Sequence, residues 1–146
     1  MNNIVISAFE KVETLGLENL DLEKSCFYDA KIDTGAFSGV IHAQNIVERN
    51  GTLYFNLYGS DQDIATTDFL VRKVRNTHGG SKKRYLVNMK IKIRDHIYIE
   101  RLGLDDRSNM KYDVLIGRAF LIRNNIMVDC RESRNIDNEW REMGDK

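Results

Sequence analysis

Alternating apolar and polar residues predict that this chain is built mainly from β-strands. Every second residue from 26 to 32 is apolar, which is typical of a strand with one buried face. This strand runs directly into Asp33. The clearest alternation predicts a longer strand over residues 85–93, with apolar Tyr85, Val87, Met89, Ile91 and Ile93 alternating with polar residues at 88, 90 and 92.

Shorter apolar segments complete the predicted set of elements. Asn50 and Gly51 predict a hairpin turn, because this pair tolerates the positive φ angles of a tight turn. Residues 118–123, after Gly117, predict one or two helical turns. Short strands at close spacing are typical of a barrel or a sandwich. Further strands are predicted over residues 40–47, 53–57, 97–100, 114–116 and 126–129.

Length and composition predict one domain with a polar appendage. A chain of 146 residues with 42% hydrophobic content is long enough to bury a single compact core. We assign residues 1–130 to this domain and residues 131–146 to the appendage, which is polar except for Ile136, Trp140 and Met143. The appendage is either a frayed terminus or a segment that Trp140 anchors to the body or to a second subunit.

The charge balance and the cysteines narrow the possible partners and location. The 22 basic and 22 acidic residues give no global field that would recruit nucleic acid or membrane. No apolar run is long enough to span a membrane, and residues 1–10 do not resemble a signal peptide, so we predict a cytoplasmic protein. Cys26 and Cys130 lie in strand-like segments and are predicted to be reduced, buried thiols.

The segment Asp33-Thr34-Gly35 places a carboxylate at the end of a buried strand. Such a position is costly unless the carboxylate is hydrogen-bonded or used in chemistry. Thr34 offers a hydroxyl that can fix the turn, Gly35 permits close approach of the backbone, and Ala36 keeps the neighbourhood small. One interpretation is a water-activating aspartate. The other is a simple turn, since all three residues favour turns.

A second motif consists of the apolar residues 114–116 followed by Gly117 and Arg118. Together the two motifs resemble those of the retropepsins, the dimeric aspartic proteases of retroviral type. The resemblance implies an all-β, closed acid-protease barrel with one short helix after Gly117. It also implies that Leu115, Ile116, Gly117 and Arg118 support the loop that carries Asp33.

The chain resembles more closely a bacterial subgroup often named ATP-dependent zinc protease or ribosomal-modification-associated protease. The resemblance extends from residue 30 to residue 129. The chain differs from the subgroup at Phe37-Ser38-Gly39, where a turn rich in serine or threonine is usual. It also differs in the polar tail. The matching segments are residues 30–36, 41–43, 84–85, 106–108 with Met110, 115–118 and 128–129.

One Asp-Thr-Gly per chain supplies half of an aspartic dyad. An aspartic mechanism therefore requires a homodimer, in which two Asp33 carboxylates share one proton and activate water against a peptide bond. The predicted partners are a second copy of the chain and a peptide or protein substrate. The main rival is a barrel of the same type that binds an extended peptide without cutting it.

The segment 71–89 predicts a hairpin whose tip contains His78, Gly79 and Gly80. It is either an ordinary exposed hairpin or, as the resemblance implies, the flap that covers the substrate. Its cations predict a preference for an acidic peptide. The association of the subgroup with glutamate-adding ligases implies acidic, glutamate-rich tails as the substrate. The cations are Arg72, Lys73, Arg75, Lys82, Lys83 and Arg84.

The histidines do not form a zinc motif. His42, His78 and His96 are isolated, and the chain has no H-E-x-x-H or C-x-x-C, so no metal or other cofactor is predicted. A zinc-dependent peptidase, as the subgroup's name suggests, stays an alternative. His42 is expected in a strand near the site, as part of the groove that binds the substrate. Asp106 and Arg107 are expected to organise their loop through hydrogen bonds and ion pairs, with contact to the substrate as the alternative.

Overall fold

The computed structural model describes residues 4–57, 62–75 and 78–144. Strands dominate these residues, with two short α-helices and one 3-10 helix near the C-terminus. The strands are β1 Ile4–Ile6, β2 Phe9–Leu17, β3 Leu20–Ile32, β4 Gly39–Arg49, β5 Thr52–Leu57, β6 Asp63–Thr66, β7 Leu70–Arg75, β8 Ser81–Ile93, β9 His96–Asp105, β10 Val114–Ile116 and β11 Ile126–Val128. The helices are α1 Arg118–Arg123, the 3-10 helix Cys130–Ser133 and α2 Asn138–Met143.

Six strands form a closed barrel in the order β10, β3, β2, β8, β9 and β4, and β4 pairs back with β10. The short strand β10 closes the ring, because it lies parallel to β3 on one side and antiparallel to β4 on the other. Closure leaves no free edge where these strands meet. The predicted closed all-β barrel is confirmed, and β5, β6 and β7 extend from it.

The alternating pattern places the apolar residues inside this barrel. In β8 the residues Val87, Met89, Ile91 and Ile93 are at most 1% exposed, while the lysines between them point outward. Burial of these side chains is the main stabilising contribution to the closed sheet. Large, fully buried side chains from distant parts of the chain fill the core, among them Tyr28, Phe55, Met89, Leu102 and Phe120.

Several predicted boundaries agree with the structure. The strand Val114–Ile116 and the helix Arg118–Arg123 have the predicted limits. Asn50 and Gly51 connect β4 to β5 with φ angles of 51° and 81°, which is the geometry of a type I′ turn.

Other strands are longer than predicted or were missed. The strand β3 begins at Leu20 rather than at residue 26, because its first residues pair with β2 in a hairpin whose side chains are mostly exposed. The strand β2 was missed because polar Thr14 and Gly16 interrupt its apolar pattern. A β-bulge lies at this interruption, where a Cβ on Gly16 would approach the Leu20 carbonyl oxygen to 2.2 Å.

The appendage folds against the body instead of fraying. It contains the helix α2, which Asp137 caps by accepting hydrogen bonds from the backbone N–H groups of Glu139 and Trp140. Arg134 lies 5.3 Å from the ring centroid of Trp140. The predicted burial of Cys130 is wrong, because β11 ends at Val128 and Cys130 starts an exposed turn; Cys26 is buried as predicted.

The helices of the described residues are short. Neither α1 nor α2 exceeds six residues, and none in the described part of the chain is long and apolar enough to cross a membrane.

Candidate active site

The loop that carries Asp33 starts where β3 leaves the barrel. The backbone N–H of Asp33 donates to the Ile116 carbonyl oxygen at 2.8 Å, which ties the loop to β10. The Asp33 side chain then folds over its own turn, since Oδ1 accepts the N–H of Gly35 at 3.1 Å. The Asp33 carbonyl oxygen accepts the N–H of Ala36 at 3.1 Å. Asp-Thr-Gly is therefore a tight turn that holds a half-buried carboxylate.

The start of helix α1 holds the other side of this loop. The N–H groups of Arg118 and Ala119 donate to the carbonyl oxygens of Ala36 and Phe37 at 2.8 Å and 3.0 Å. The loop thus supplies acceptors to the first N–H groups of the helix, which have no partner inside it. The Arg118 guanidinium also donates to the Gly35 carbonyl oxygen at 2.9 Å.

Glycines permit the close contact between the two motifs. A Cβ on Gly117 would lie 2.6 Å from the Phe37 carbonyl oxygen, and one on Gly39 would lie 2.5 Å from the Leu115 carbonyl oxygen. Real Cβ atoms do not approach backbone atoms this closely. Leu115, Ile116 and Gly117 therefore lie directly against the loop.

Thr34 and Gly35 behave differently from what the sequence predicts. The Thr34 side chain is exposed and makes no hydrogen bond within the described residues, because the Asp33 carboxylate rather than the hydroxyl fixes the turn. Gly35 does not have a positive φ. A Cβ there would meet only Asp33 Oδ1, at 3.4 Å. In the described part of one chain, neighbouring residues constrain neither the Thr34 side chain nor a Cβ on Gly35.

The predicted hairpin is confirmed. Strands β7 and β8 pair in antiparallel register from Leu70 with Leu86 to Arg75 with Ser81. His78, Gly79 and Gly80 are exposed at the tip, and Gly79 has a φ of 85°. Asn76 and Thr77 of the predicted tip lie outside the described residues. Whether the hairpin moves as a flap stays a prediction.

An acid that the sequence analysis did not connect to the hairpin pairs with two of its six cations. Asp105, at the end of β9, accepts from Lys82 Nζ at 3.0 Å and from Arg84 Nη2 at 2.9 Å. Asp105 follows Lys82 by 23 residues and Arg84 by 21 residues, and the antiparallel pairing of β8 with β9 brings it to both. The remaining hairpin cations are exposed and form no ion pair within the described residues: Arg72, Lys73, Arg75 and Lys83.

His42 and the loop of residues 106–113 form one hydrogen-bonded unit. The His42 side chain is 2% exposed, and its Nδ1 accepts the backbone N–H of Arg107 at 2.7 Å. In this arrangement the neutral ring carries its proton on Nε2. Arg107 is itself buried, and its Nε donates to the Tyr112 carbonyl oxygen at 2.8 Å. A contact of His42 with substrate stays a prediction.

Asp106 stays exposed at the start of that loop. Hydrogen bonds from the Ser108 hydroxyl and the Ser108 N–H are the largest influences on its carboxyl, and they hold its pKa below the usual value. His42 Nδ1 lies 3.7 Å from Asp106 Oδ1. The loop is organised by hydrogen bonds, as expected for Asp106 and Arg107, and a contact of either residue with substrate stays a prediction.

A cavity of about 360 Å³ lies beside Phe37, Ser38 and Gly39, between the active-site loop, β9 and α1. Its wall includes Glu100, which is 5% exposed and accepts from the Arg123 guanidinium and from the N–H of Arg101. The sequence analysis missed this site. The available signal was Glu100 itself, a charged residue at an inward position between Tyr98 and Leu102.

The described residues contain no group of three or more histidine, cysteine, aspartate or glutamate side chains arranged to hold a metal ion. The zinc alternative therefore has no ligand set in the part of the chain that the structure covers.

The chain is similar to several known proteins. A solved Legionella pneumophila protein of unknown function (DUF785) has 29% sequence identity and a TM-score of 0.62, covering 88% of this chain and 94% of that one. Two proteins named "Probable alpha-L-glutamate ligase", from Shewanella halifaxensis and Shewanella pealeana, are each 32% identical over 114 residues. The match covers 71% of this chain and 25% of each relative, so this chain spans about a quarter of their length.

The family described as RimB-like, "Retropepsin-like aspartic endopeptidase RimB", matches residues 11–139. This match includes the Asp33 turn, the hairpin, β10 and α1. The chain therefore belongs to the RimB-like family of retropepsin-like proteins.

Proposed function

We propose that this chain is one subunit of a homodimeric aspartic endopeptidase. The observation that carries the proposal is the Asp33 turn, which Ile116 and helix α1 hold in place while Thr34 and Gly35 face outward. A carboxylate fixed at a protein surface in this way is ready to meet a second carboxylate from a symmetry-related chain.

The dimer supplies the chemistry that one carboxylate lacks. Two carboxylates at close range share one proton, so that one acts as base and the other as acid. The ionised Asp33 takes a proton from water while the water oxygen attacks the amide carbon, and the protonated Asp33 donates to the carbonyl oxygen. The carbon–nitrogen bond then breaks as one Asp33 gives its proton to the nitrogen. The other Asp33 takes a proton from a hydroxyl of the intermediate, so that the carboxyl product forms and the dyad again holds one proton.

Gly35 supports the need for a second chain. Its own backbone does not require glycine, because φ is not positive and a Cβ would have room. A glycine that the fold of one chain does not need is consistent with close approach of another molecule. The free hydroxyl of Thr34, next to it, is available to bond across the same contact.

The hairpin supports a preference for acidic peptides. Four exposed cations without ion pairs in the described residues give the hairpin an unbalanced positive charge, and Asp105 offsets only part of the charge of the other two. The names of the Shewanella relatives refer to glutamate ligation. We infer that the substrate is an acidic, glutamate-rich protein tail, bound more weakly as salt rises.

The test is cleavage of a glutamate-rich peptide by purified protein and by Asp33→Asn. We expect the substitution to abolish cleavage and to leave the folded dimer intact, because it removes the charge but keeps the shape of the side chain. Mass spectrometry of the products measures cleavage, and native mass spectrometry of the protein measures dimerisation. Equal binding without cleavage in either protein would favour the peptide-binding module instead. Activity lost with a chelator and restored by zinc would favour the metal-dependent alternative.

A further inference from the structure

We propose that the cavity beside Phe37 is a specificity pocket that binds one carboxylate side chain of the substrate through Arg72 and Arg101. The proposal rests on the proposed peptidase function, but it assigns the selection of charge to particular residues. It therefore attributes the selection of an acidic side chain to this pocket and not to the lysines of the hairpin.

The charges around the cavity are unbalanced. Three guanidiniums, from Arg72, Arg101 and Arg123, line it together with one carboxylate, from Glu100, which leaves an excess of two positive charges. Arg123 is engaged with Glu100. Arg72 and Arg101 are exposed and form no ion pair within the described residues. Two guanidinium groups are thus available to a ligand, and their planar forks match the geometry of a carboxylate.

Glu100 gives the pocket a fixed wall. Its carboxylate is buried, and it accepts both the Arg123 guanidinium and the N–H of Arg101. These bonds hold the backbone of Arg101 beside helix α1. Because Arg123 neutralises Glu100, the wall does not repel an incoming acid as strongly as a free carboxylate would.

The remaining lining suits the stem of an acidic side chain. Leu86, Ile99 and Ala119 provide apolar surface, and Arg72 and Arg101 provide positively charged groups of the lining. A glutamate side chain has both parts, with methylene groups below a carboxylate. The other wall, Phe37 to Gly39, directly continues the loop of Asp33, so a peptide extended from the dyad along this loop passes the pocket.

Arg72 and Arg101 belong to different parts of the molecule. Arg72 lies on β7 of the hairpin, whereas Arg101 lies on β9 of the barrel, opposite Asn88 of β8. A carboxylate held by both links the hairpin to the barrel. Binding of the correct side chain would therefore also favour the position of the hairpin over the substrate.

The test measures binding in the full-length Asp33→Asn protein, so that cleavage plays no part. Fluorescence anisotropy would give the Kd of labelled hexaglutamate and hexaglutamine peptides at fixed salt. We expect hexaglutamate to bind more tightly, and Arg72→Ala and Arg101→Ala each to weaken it about tenfold, with little effect on hexaglutamine. Arg101→Lys should recover only part of the loss, because lysine keeps the charge but not the fork.

Lys24→Ala is the matched control, since it removes an exposed cation of β3 that lies outside the cavity. It should leave the Kd within about twofold. If the arginine variants bind hexaglutamate as tightly as Lys24→Ala does, the pocket assignment is overturned, even when the protein still cleaves acidic peptides. No binding of hexaglutamate, or tighter binding of a phosphoserine peptide, would also overturn it. Selective binding without cleavage in the unsubstituted protein would support the pocket and reject the peptidase.

Discussion

At the scale of single residues, two glycines at the Asp33 loop, Gly35 within it and Gly117 against it, have different reasons to lack a side chain. Gly117 has no room for one, because the backbone of Phe37 and Ser38 lies within 2.8 Å of the place where a Cβ would stand. Gly35 has room, since the single neighbour is the Asp33 carboxylate at 3.4 Å. The fold of one chain therefore requires glycine at position 117, whereas Gly35 is available for contact with another molecule.

We predict that Gly117→Ala lowers the free energy of unfolding by about 1–3 kcal/mol, because the loop behind Asp33 has to shift. Cleavage should fall with it. Gly35→Ala should change the unfolding free energy of the dissociated subunit by less than about 0.5 kcal/mol, yet still reduce cleavage and dimerisation. Urea unfolding at low protein concentration measures the free energy of unfolding, and sedimentation measures dimerisation. Equal destabilisation by the two substitutions would contradict this distinction.

At the scale of elements, Arg94 connects segments that the barrel alone does not hold together. It lies in the turn between β8 and β9 and bonds both oxygens of Glu10 on β2, at 3.2 Å and 2.8 Å. It also donates to the Val5 carbonyl oxygen on β1 and to Glu132 of the 3-10 helix. The Glu10 side chain is only 8% exposed, so its charge depends on these partners.

The pKa of Glu10 follows from the same contacts. Burial is the largest single influence and raises it, but the hydrogen bonds from Arg94 and Ser7 together outweigh burial and lower the pKa below its usual value of 4.5. A carboxyl with a lowered pKa in the folded state stabilises the protein above its unfolded pKa. This contribution is lost as the pH falls through the folded pKa.

We therefore predict that Arg94→Ala destabilises the protein by about 2 kcal/mol at neutral pH, because it leaves the Glu10 carboxylate without its main partner. The difference from the unsubstituted protein should shrink as the pH falls below 4.5, the usual pKa of this carboxyl. Thermal unfolding from pH 7 to pH 3 measures both effects. Lys11→Ala, which breaks an exposed pair with Asp29, is the control and should cost less than about 1 kcal/mol at any of these pH values. A difference that is independent of pH would contradict the assigned role of Glu10.

At the scale of the whole molecule, closure of the barrel creates one half of the proposed site. The strand β10 pairs with both β3 and β4, and this places Gly117 and Arg118 against a loop that lies about 80 residues earlier in the chain. The described chain then presents a single Asp33 turn at its surface. A second turn has to come from a second subunit if the dyad mechanism is right.

Mixing of subunits tests this requirement directly. We predict that Asp33→Asn chains suppress the activity of unsubstituted chains after exchange, because a mixed dimer has only one ionisable Asp33. In an equal mixture, about one quarter of the dimers retain both aspartates, so the activity should fall to about half of that expected from independent subunits. Specific activity should also fall on dilution below the dimer Kd. Simple additivity of the two proteins, at every dilution, would show that each chain acts alone.

The sequence by itself determined the features that depend on neighbouring residues. Alternation identified the strands around Ala30 and Met89, an apolar triplet identified the strand around Leu115, and Asn50-Gly51 identified a turn. Side-chain period and φ preference are local properties. The pairing of Asp-Thr-Gly with the Gly117 motif was inferred from the family resemblance, and the bonds to Ile116 and Arg118 place the two together.

Only the tertiary structure decided which charges are free and which are paired. Asp105 neutralises Lys82 and Arg84, Glu100 holds Arg123, and His42 accepts from Arg107 across 65 residues of chain. Cys130 is exposed although it follows an apolar strand. These outcomes depend on strand register and on the closing of the barrel, which bring distant residues to one place. A local pattern of apolar and polar residues predicts which face of a strand a side chain takes, but it does not identify the distant residues that lie beside it.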